Sequence, residues 1–191
     1  MSAKEHSNEL PKKWIGLPPG RFLKYRSWIN RHHPGICGTY CTAVLVHDAV
    51  YQKTRHSLSK ETLLNGLKKV VDDLFPYRGT FFWDLANGLR RILQDTSFWE
   101  VKMGLVTERL VPELLSGERQ RPVPVIVETT KLLNSRYKNH WLVVYSYGYN
   151  EDGKLYYRGY DNHGNHKAVI PASQTLSCVW LEERKGKAGN Y

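Results

Sequence analysis

Pro34-Gly35-Ile36-Cys37-Gly38-Thr39-Tyr40-Cys41-Thr42-Ala43-Val44-Leu45 is the stretch on which the reading of this chain turns. The Pro-Gly pair closes off whatever precedes it, and from Cys37 to about Gln52 the residues Cys41, Val44, Leu45, Asp48 and Tyr51 recur at helical spacing. The pattern predicts a mainly apolar helix with Cys37 at or just before its first turn. There the helix dipole and unpaired backbone N–H groups favour a thiolate, so a pKa below the ~8.5 of a free thiol is expected. Gly38 is expected to leave space for a substrate backbone. Cys41 lies one turn deeper, beside Ala43, Val44 and Leu45, and reads as an ordinary buried thiol. For Cys37 the competing reading is the same, a structural cysteine of the core.

Outward from this segment the pattern stays helical and then changes period. Ser59 looks like an N-cap ahead of Leu63, Leu64, Leu67, Val70, Val71 and Leu74, and Pro76-Tyr77-Arg78-Gly79 is expected to stop that helix. A third helix is predicted from Phe81 to about Gln94, and a short fourth from Thr107 to Leu115. The segments 99–106, 123–129, 140–149, 155–160, 166–170 and 177–182 are rich in β-branched and aromatic residues, with Asn150-Glu151-Asp152-Gly153 as a hairpin turn. Helices first and a mostly antiparallel sheet afterwards give an α+β class. Residues 1–20 read as a tail or extended arm, 21–185 as one domain and 186–191 as a second tail.

A fold of 191 residues buries roughly 70% of its unfolded surface, so neither metal nor disulfide is needed to hold it. A 41% hydrophobic share with 24% charge excludes a disordered or fibrous chain. Lys and Arg number 28 against 18 Asp and Glu, and the resulting +10 favours anionic partners such as acidic peptides. The cations are scattered and carry no nucleic-acid signature, so no specific nucleic-acid partner is expected. Three cysteines do not make a disulfide framework. The N-terminus lacks an apolar signal region and no apolar run approaches a membrane span, which sets a cytoplasmic expectation. His32, His33, His47, His56, His163 and His166 form no metal signature, and no metal or other cofactor is expected.

A nucleophilic cysteine needs a base. His140 stands at the entrance to the strand His140-Trp141-Leu142-Val143-Val144-Tyr145. If residues 150–153 form the hairpin loop, Tyr149 pairs with Lys154, and the ladder sets His140 opposite about His163, with Asp161 and Asn162 close by. Nucleophile, base and a group to hold the imidazole tautomer would then meet at one place. The alternative is a strand-end histidine bonded to a neighbouring turn.

Cys37-Gly38-x-x-Cys41-x-Ala43-Val44-Leu45 resembles the nucleophile helix of the double-glycine leader peptidases and their stand-alone relatives, a papain-like group. His140-Trp141-Leu142-Val143-Val144 is similar to the group's histidine strand, and Asp161-Asn162-His163-Gly164 to its Asp-Pro-x-x-Gly turn. The resemblance implies a papain-like cysteine peptidase fold and hydrolysis of a peptide or amide bond through an acyl-enzyme, without cofactor. It makes Cys37 the nucleophile, His140 the general base and acid, and Asp161 the orienting residue, with Asn162 as the alternative because it replaces the family's Pro. The family's oxyanion donor, a Gln six residues before the Cys, is Arg31 here, and Asn30 takes that role if the chain is shifted by one residue. Two rival functions use the same residues: acyl transfer to an amine, and a non-catalytic binding module whose basic surface recruits an acidic partner.

Overall fold

Seven segments in which β-branched and aromatic residues concentrate pair into one sheet: β1 (Ile15–Gly16), β2 (Trp99–Gly104), β3 (Val125–Thr129), β4 (His140–Tyr149), β5 (Leu155–Tyr160), β6 (Ala168–Pro171) and β7 (Thr175–Glu183). The chain is seen in a computed structural model, which describes residues 9–30, 35–74, 80–93 and 98–185. Arg31, His32, His33, the 76–79 helix stop, residues 1–8 and residues 186–191 lie outside the described residues. The strand order is β2-β7-β3-β4-β5-β6 with β1 beside β4, and every pairing is antiparallel. The helices are α1 (Cys37–Thr54), α2 (Lys60–Val71), α3 (Phe82–Leu93) and α4 (Thr107–Ser116). The α+β class is therefore observed, with α4 interposed between β2 and β3. None of the helices among the described residues is long and apolar enough to cross a membrane.

The helices divide between the two faces of the sheet. Trp141, Val143 and Tyr145 of β4 pack with Cys41, Val44 and Leu45 of α1, Leu67 of α2 and Leu85 and Leu89 of α3. Leu142, Val144 and Tyr147 pack on the other face with Val111, Leu114 and Leu115 of α4. Covered from both sides, β4 is buried from His140 to Gly148. α1 is buried continuously from Gly38 to Asp48, which makes it the central helix. Its interior polar groups are matched: Arg21 donates twice to the Asp48 carboxylate (2.9 and 2.5 Å), and His47 bonds Tyr25 Oη (2.7 Å) and Ser57 Oγ (3.0 Å). These bonds fix the 3-10 segment Pro19–Ser27 against α1, an element the Pro-rich arm did not announce. Ser59 caps α2, accepting from the Thr62 N–H at 3.4 Å.

The hairpin register differs from expectation and then recovers. Asn150 Oδ1 takes the N–H groups of Asp152 and Lys154, so Tyr149 pairs with Leu155 rather than Lys154. Between Val144 and Ser146 the register shifts, leaving Tyr145 as an extra residue in a bulge. Beyond it Val144 faces Gly159 and Val143 faces Tyr160. Continued past the end of β5, that register sets Trp141 opposite Asn162 and His140 opposite His163, the juxtaposition expected from the sequence. Only glycine fits at 159, where a Cβ would lie 2.3 Å from the Val143 carbonyl oxygen.

Candidate active site

Cys37 is the first residue of α1 and keeps part of its surface exposed, whereas Cys41 and Cys178 are buried. Its sulfur is surrounded by protein, and burial pushes the thiol up from 9.0 to about 11. Main-chain N–H groups of Trp141, Gly38 and Cys37 itself act in the opposite direction, as a helix start should, but they do not offset the burial. The expected pKa below that of a free thiol is therefore not met. Part of the reason is Asp72, just past the end of α2, whose charge also raises the Cys37 pKa. Its carboxylate accepts from Thr39 N–H (3.0 Å), Thr39 Oγ1 (2.5 Å) and Thr80 Oγ1 (2.5 Å), so it occupies the anion position at the start of α1.

Gly38 does not open a channel for substrate. A Cβ there would lie 2.9 Å from both Leu85 Cδ2 and Thr80 Oγ1 and 3.3 Å from Val71 Cγ1, so the missing side chain lets α1 approach α2, α3 and residue 80. The Thr80 carbonyl accepts from Trp141 Nε1 at 3.2 Å, which ties the same corner to β4.

His140, the first residue of β4, is 6% exposed, and its Nε2 lies 2.8 Å from the main-chain oxygen of Asp161. A carbonyl can only accept, so Nε2 carries the proton and Nδ1 keeps its lone pair. Burial, reinforced by the neighbouring His163 and opposed by the Asp161 carbonyl and carboxylate, lowers the imidazole pKa from 6.5 to about 4. The ring is neutral at pH 7.

Asp161 meets His140 through its main-chain oxygen, and its carboxylate works elsewhere. Oδ1 accepts from the N–H groups of His163 (2.9 Å) and Asn165 (3.0 Å), closing the turn, and Oδ2 accepts from Tyr137 Oη at 2.8 Å. Asn162 takes a left-handed conformation (φ 49°), and its Nδ2 donates to the Trp141 carbonyl at 3.0 Å and approaches Cys41 Sγ at 3.5 Å. Its Oδ1 is buried with no hydrogen-bond partner among the described residues. The Asn162 main-chain oxygen accepts from Asn30 N–H at 3.0 Å, so Asn30, also buried, is fastened to the turn that holds His140.

Cys37 meets β4 through the N–H of Trp141, one peptide unit from His140. Side chains alternate along β4: Trp141 points to the α1 face, and His140 has the parity of Leu142 and Val144. Among the described residues no hydrogen bond joins Cys37 to His140, and the 140–141 peptide is what the two share. Sequence reasoning missed Asp72 and Tyr137. A carboxylate at the C-terminal end of its own helix is electrostatically misplaced, which is a legible hint that Asp72 serves another element. Nothing in the sequence marks Tyr137. Among the described residues, no group of three or more His, Cys, Asp or Glu is placed to hold a metal ion.

No family profile matches this chain, and no curated protein matches it. Among solved structures, it is similar to the bromelain protease from Ananas comosus in complex with the E64 inhibitor. The identity is 12% and the TM-score 0.38, over 80% of this chain and 91% of that chain.

Proposed function

We propose that this chain is a papain-like thiol hydrolase acting on a peptide or amide bond. Cys37 Sγ attacks the carbonyl carbon as its proton passes to His140 Nδ1. The imidazolium then protonates the leaving amine, and water, deprotonated by the same nitrogen, releases the acyl group and restores the thiol. The observation that carries this reading is the join at residues 140–141. A part-exposed cysteine at a helix start faces three main-chain N–H groups, one of them from the residue after a histidine whose Nε2 is fixed and whose Nδ1 keeps its lone pair. Those N–H groups are also the nearest donors for an oxyanion, and Asn30 is the candidate for a further one.

The resting site is a neutral pair. Burial holds the thiol above its ordinary value and the imidazole below its own, so a thiolate and imidazolium are disfavoured before substrate is bound. Transfer must therefore accompany attack on bound substrate. The same observation favours a second reading, a non-catalytic module of this fold whose basic surface holds an acidic partner.

The experiment is a digest of a peptide library containing acidic and neutral sequences, with the intact chain and its Cys37→Ser and His140→Ala variants, with and without hydroxylamine. Cleavage to free acids without added amine, lost in both variants, establishes the hydrolase, and an acyl product that forms only with hydroxylamine present, with no free acid in its absence, establishes the transferase. Retention of acidic peptides without cleavage establishes the binding module.

A further inference from the structure

We infer that Tyr137 is a positioning residue for His140: its ring braces one face of the imidazole, and its hydroxyl holds the carboxylate of the residue whose carbonyl fixes Nε2. This rests on the reading of His140 as the general base. The phenol ring lies parallel to the imidazole, with centroids 5.4 Å apart and planes at 11°. Its hydroxyl donates to Asp161 Oδ2 at 2.8 Å, while the Asp161 main-chain oxygen, on the same residue, accepts from His140 Nε2 at 2.8 Å. One side chain thus touches the base directly and also secures the group that sets its tautomer.

Tyr137 is itself held from outside. The Arg136 guanidinium lies 5.0 Å over the phenol ring, and its Nη2 donates to Tyr137 Oη and to the Val169 carbonyl of β6, both at 3.3 Å. On the inner side the His163 ring stands 4.4 Å from His140. The rings of Tyr137, His140 and His163 therefore form a three-membered cluster, with Tyr137 and His163 also 6.1 Å apart, Arg136 over the phenol and the Asp161 carboxylate bonded to the phenol hydroxyl. Burial beside that carboxylate pushes the Tyr137 hydroxyl up to about 12, so it remains a donor at every pH at which the imidazole titrates. The electron-rich face of the phenol also favours the imidazolium that forms when His140 takes the thiol proton.

Long-range ¹H–¹⁵N NMR of the intact chain, with His140 assigned through His140→Gln, reads tautomer and titration without any substrate. In the unmodified chain the Nε2–H tautomer should dominate. Tyr137→Phe keeps the ring and removes the hydroxyl, and the minor Nδ1–H tautomer should rise about fivefold, the ratio set by a net hydrogen-bond worth of ~1 kcal/mol. Tyr137→Leu also removes the ring face, and the imidazole titration should move lower by a further factor of about three to ten in the protonation constant. The groups facing the imidazole are Asp161, His163 and Tyr137, with Arg136 behind the phenol and Cys37 across the 140–141 peptide. All except residue 137 are unchanged in both variants. Where a substrate is in hand, kcat should fall only in proportion to the Nε2–H fraction that is lost while KM stays within about twofold, so the tautomer ratio itself is the decisive readout.

Unchanged tautomer and titration in both variants would overturn the inference, and if Tyr137→Leu does not fold, the tautomer ratio in Tyr137→Phe decides alone. Failure of the hydrolase reading appears separately, as library cleavage that survives Cys37→Ser or is absent from the unmodified chain.

Discussion

Replacing Asp72 by Asn should make Cys37 a better nucleophile. The carboxylate binds Thr39 N–H and two hydroxyls at the start of α1, and Cys37 is two residues from Thr39 in the same turn. That spacing puts the charge about 7 Å from the sulfur. At an effective dielectric of ~20 the repulsion between carboxylate and thiolate is ~2 kcal/mol, or about one to two pKa units. Removing it lowers the thiol from its present raised value, while burial, the larger cause, continues to hold it up. At a pH well below both values the thiolate fraction then rises about thirtyfold for a shift of ~1.5 units, while the weaker basicity lowers intrinsic reactivity about fivefold. The net expectation is alkylation faster by about sixfold. Asparagine still offers an acceptor to Thr39, so the cap and the fold should persist. The assay is iodoacetamide labelling across pH 6–10 with the modified residue located by mass spectrometry, beside a thermal melt. Equal or slower labelling at Cys37 in a variant that melts normally would refute the assignment of Asp72 as a charge that restrains the thiol.

His140 makes stability depend on pH. Its folded pKa lies below its unfolded value, so the unfolded chain binds the proton first and stability falls as pH drops from about 6.5 toward 4, by ~3 kcal/mol when complete. Melts of the intact chain should show a steeper decline over that window than melts of His140→Gln, and identical slopes would count against the buried neutral imidazole. Gly38→Ala should destabilise by ~1–3 kcal/mol, because the methyl meets Leu85, Thr80 and Val71 at once. The same variant should disturb the Thr80–Asp72 contact, and denaturant unfolding together with the alkylation assay measures both effects.

The elements with strong periodicity were legible in the sequence: α1 begins at Cys37 as expected, Ser59 caps α2, β2 to β5 fall within the expected segments, and β6 and β7 overrun theirs by one or two residues. The meeting of the 140 and 161–163 segments was legible as well, although two departures of one residue cancelled to produce it. What could not be read was the direction of individual polar atoms. A ladder places Asp161 beside His140, but whether carbonyl or carboxylate makes the contact depends on the turn. There two backbone N–H groups claim one carboxylate oxygen and Tyr137 the other. The Cys37 pKa failed for a related reason: helix-end chemistry is local and visible in the sequence, whereas burial and a carboxylate arriving from α2 are tertiary. The arm before residue 28 was hardest, because Arg21 and Tyr25 are fixed by Asp48 and His47, partners more than twenty residues away.

The extra residue at Tyr145 divides β4 into two separately indexed halves. On the hairpin side the strand is keyed to β1 and to the Asn150 turn, and on the other side to β3 and the 161–165 turn. A change of loop length at 150–153 that alters pairing near Tyr149 reaches the irregularity and can be absorbed there. Loss of residue 145 alone would set Val144 and Ser146 side by side opposite Gly159 and Arg158 in a continuous ladder, so His140 and Trp141 would keep their faces and the core would lose the Tyr145 side chain. The chemistry at the mouth of the strand is in this sense insulated from its hairpin, and the bulge residue touches none of the proposed catalytic groups by hydrogen bond. Tyr145 Oη instead bonds the His166 carbonyl at 2.6 Å. A redesign of the hairpin that leaves the pairs Val143–Tyr160 and Val144–Gly159 in place keeps the register that sets His140 opposite His163.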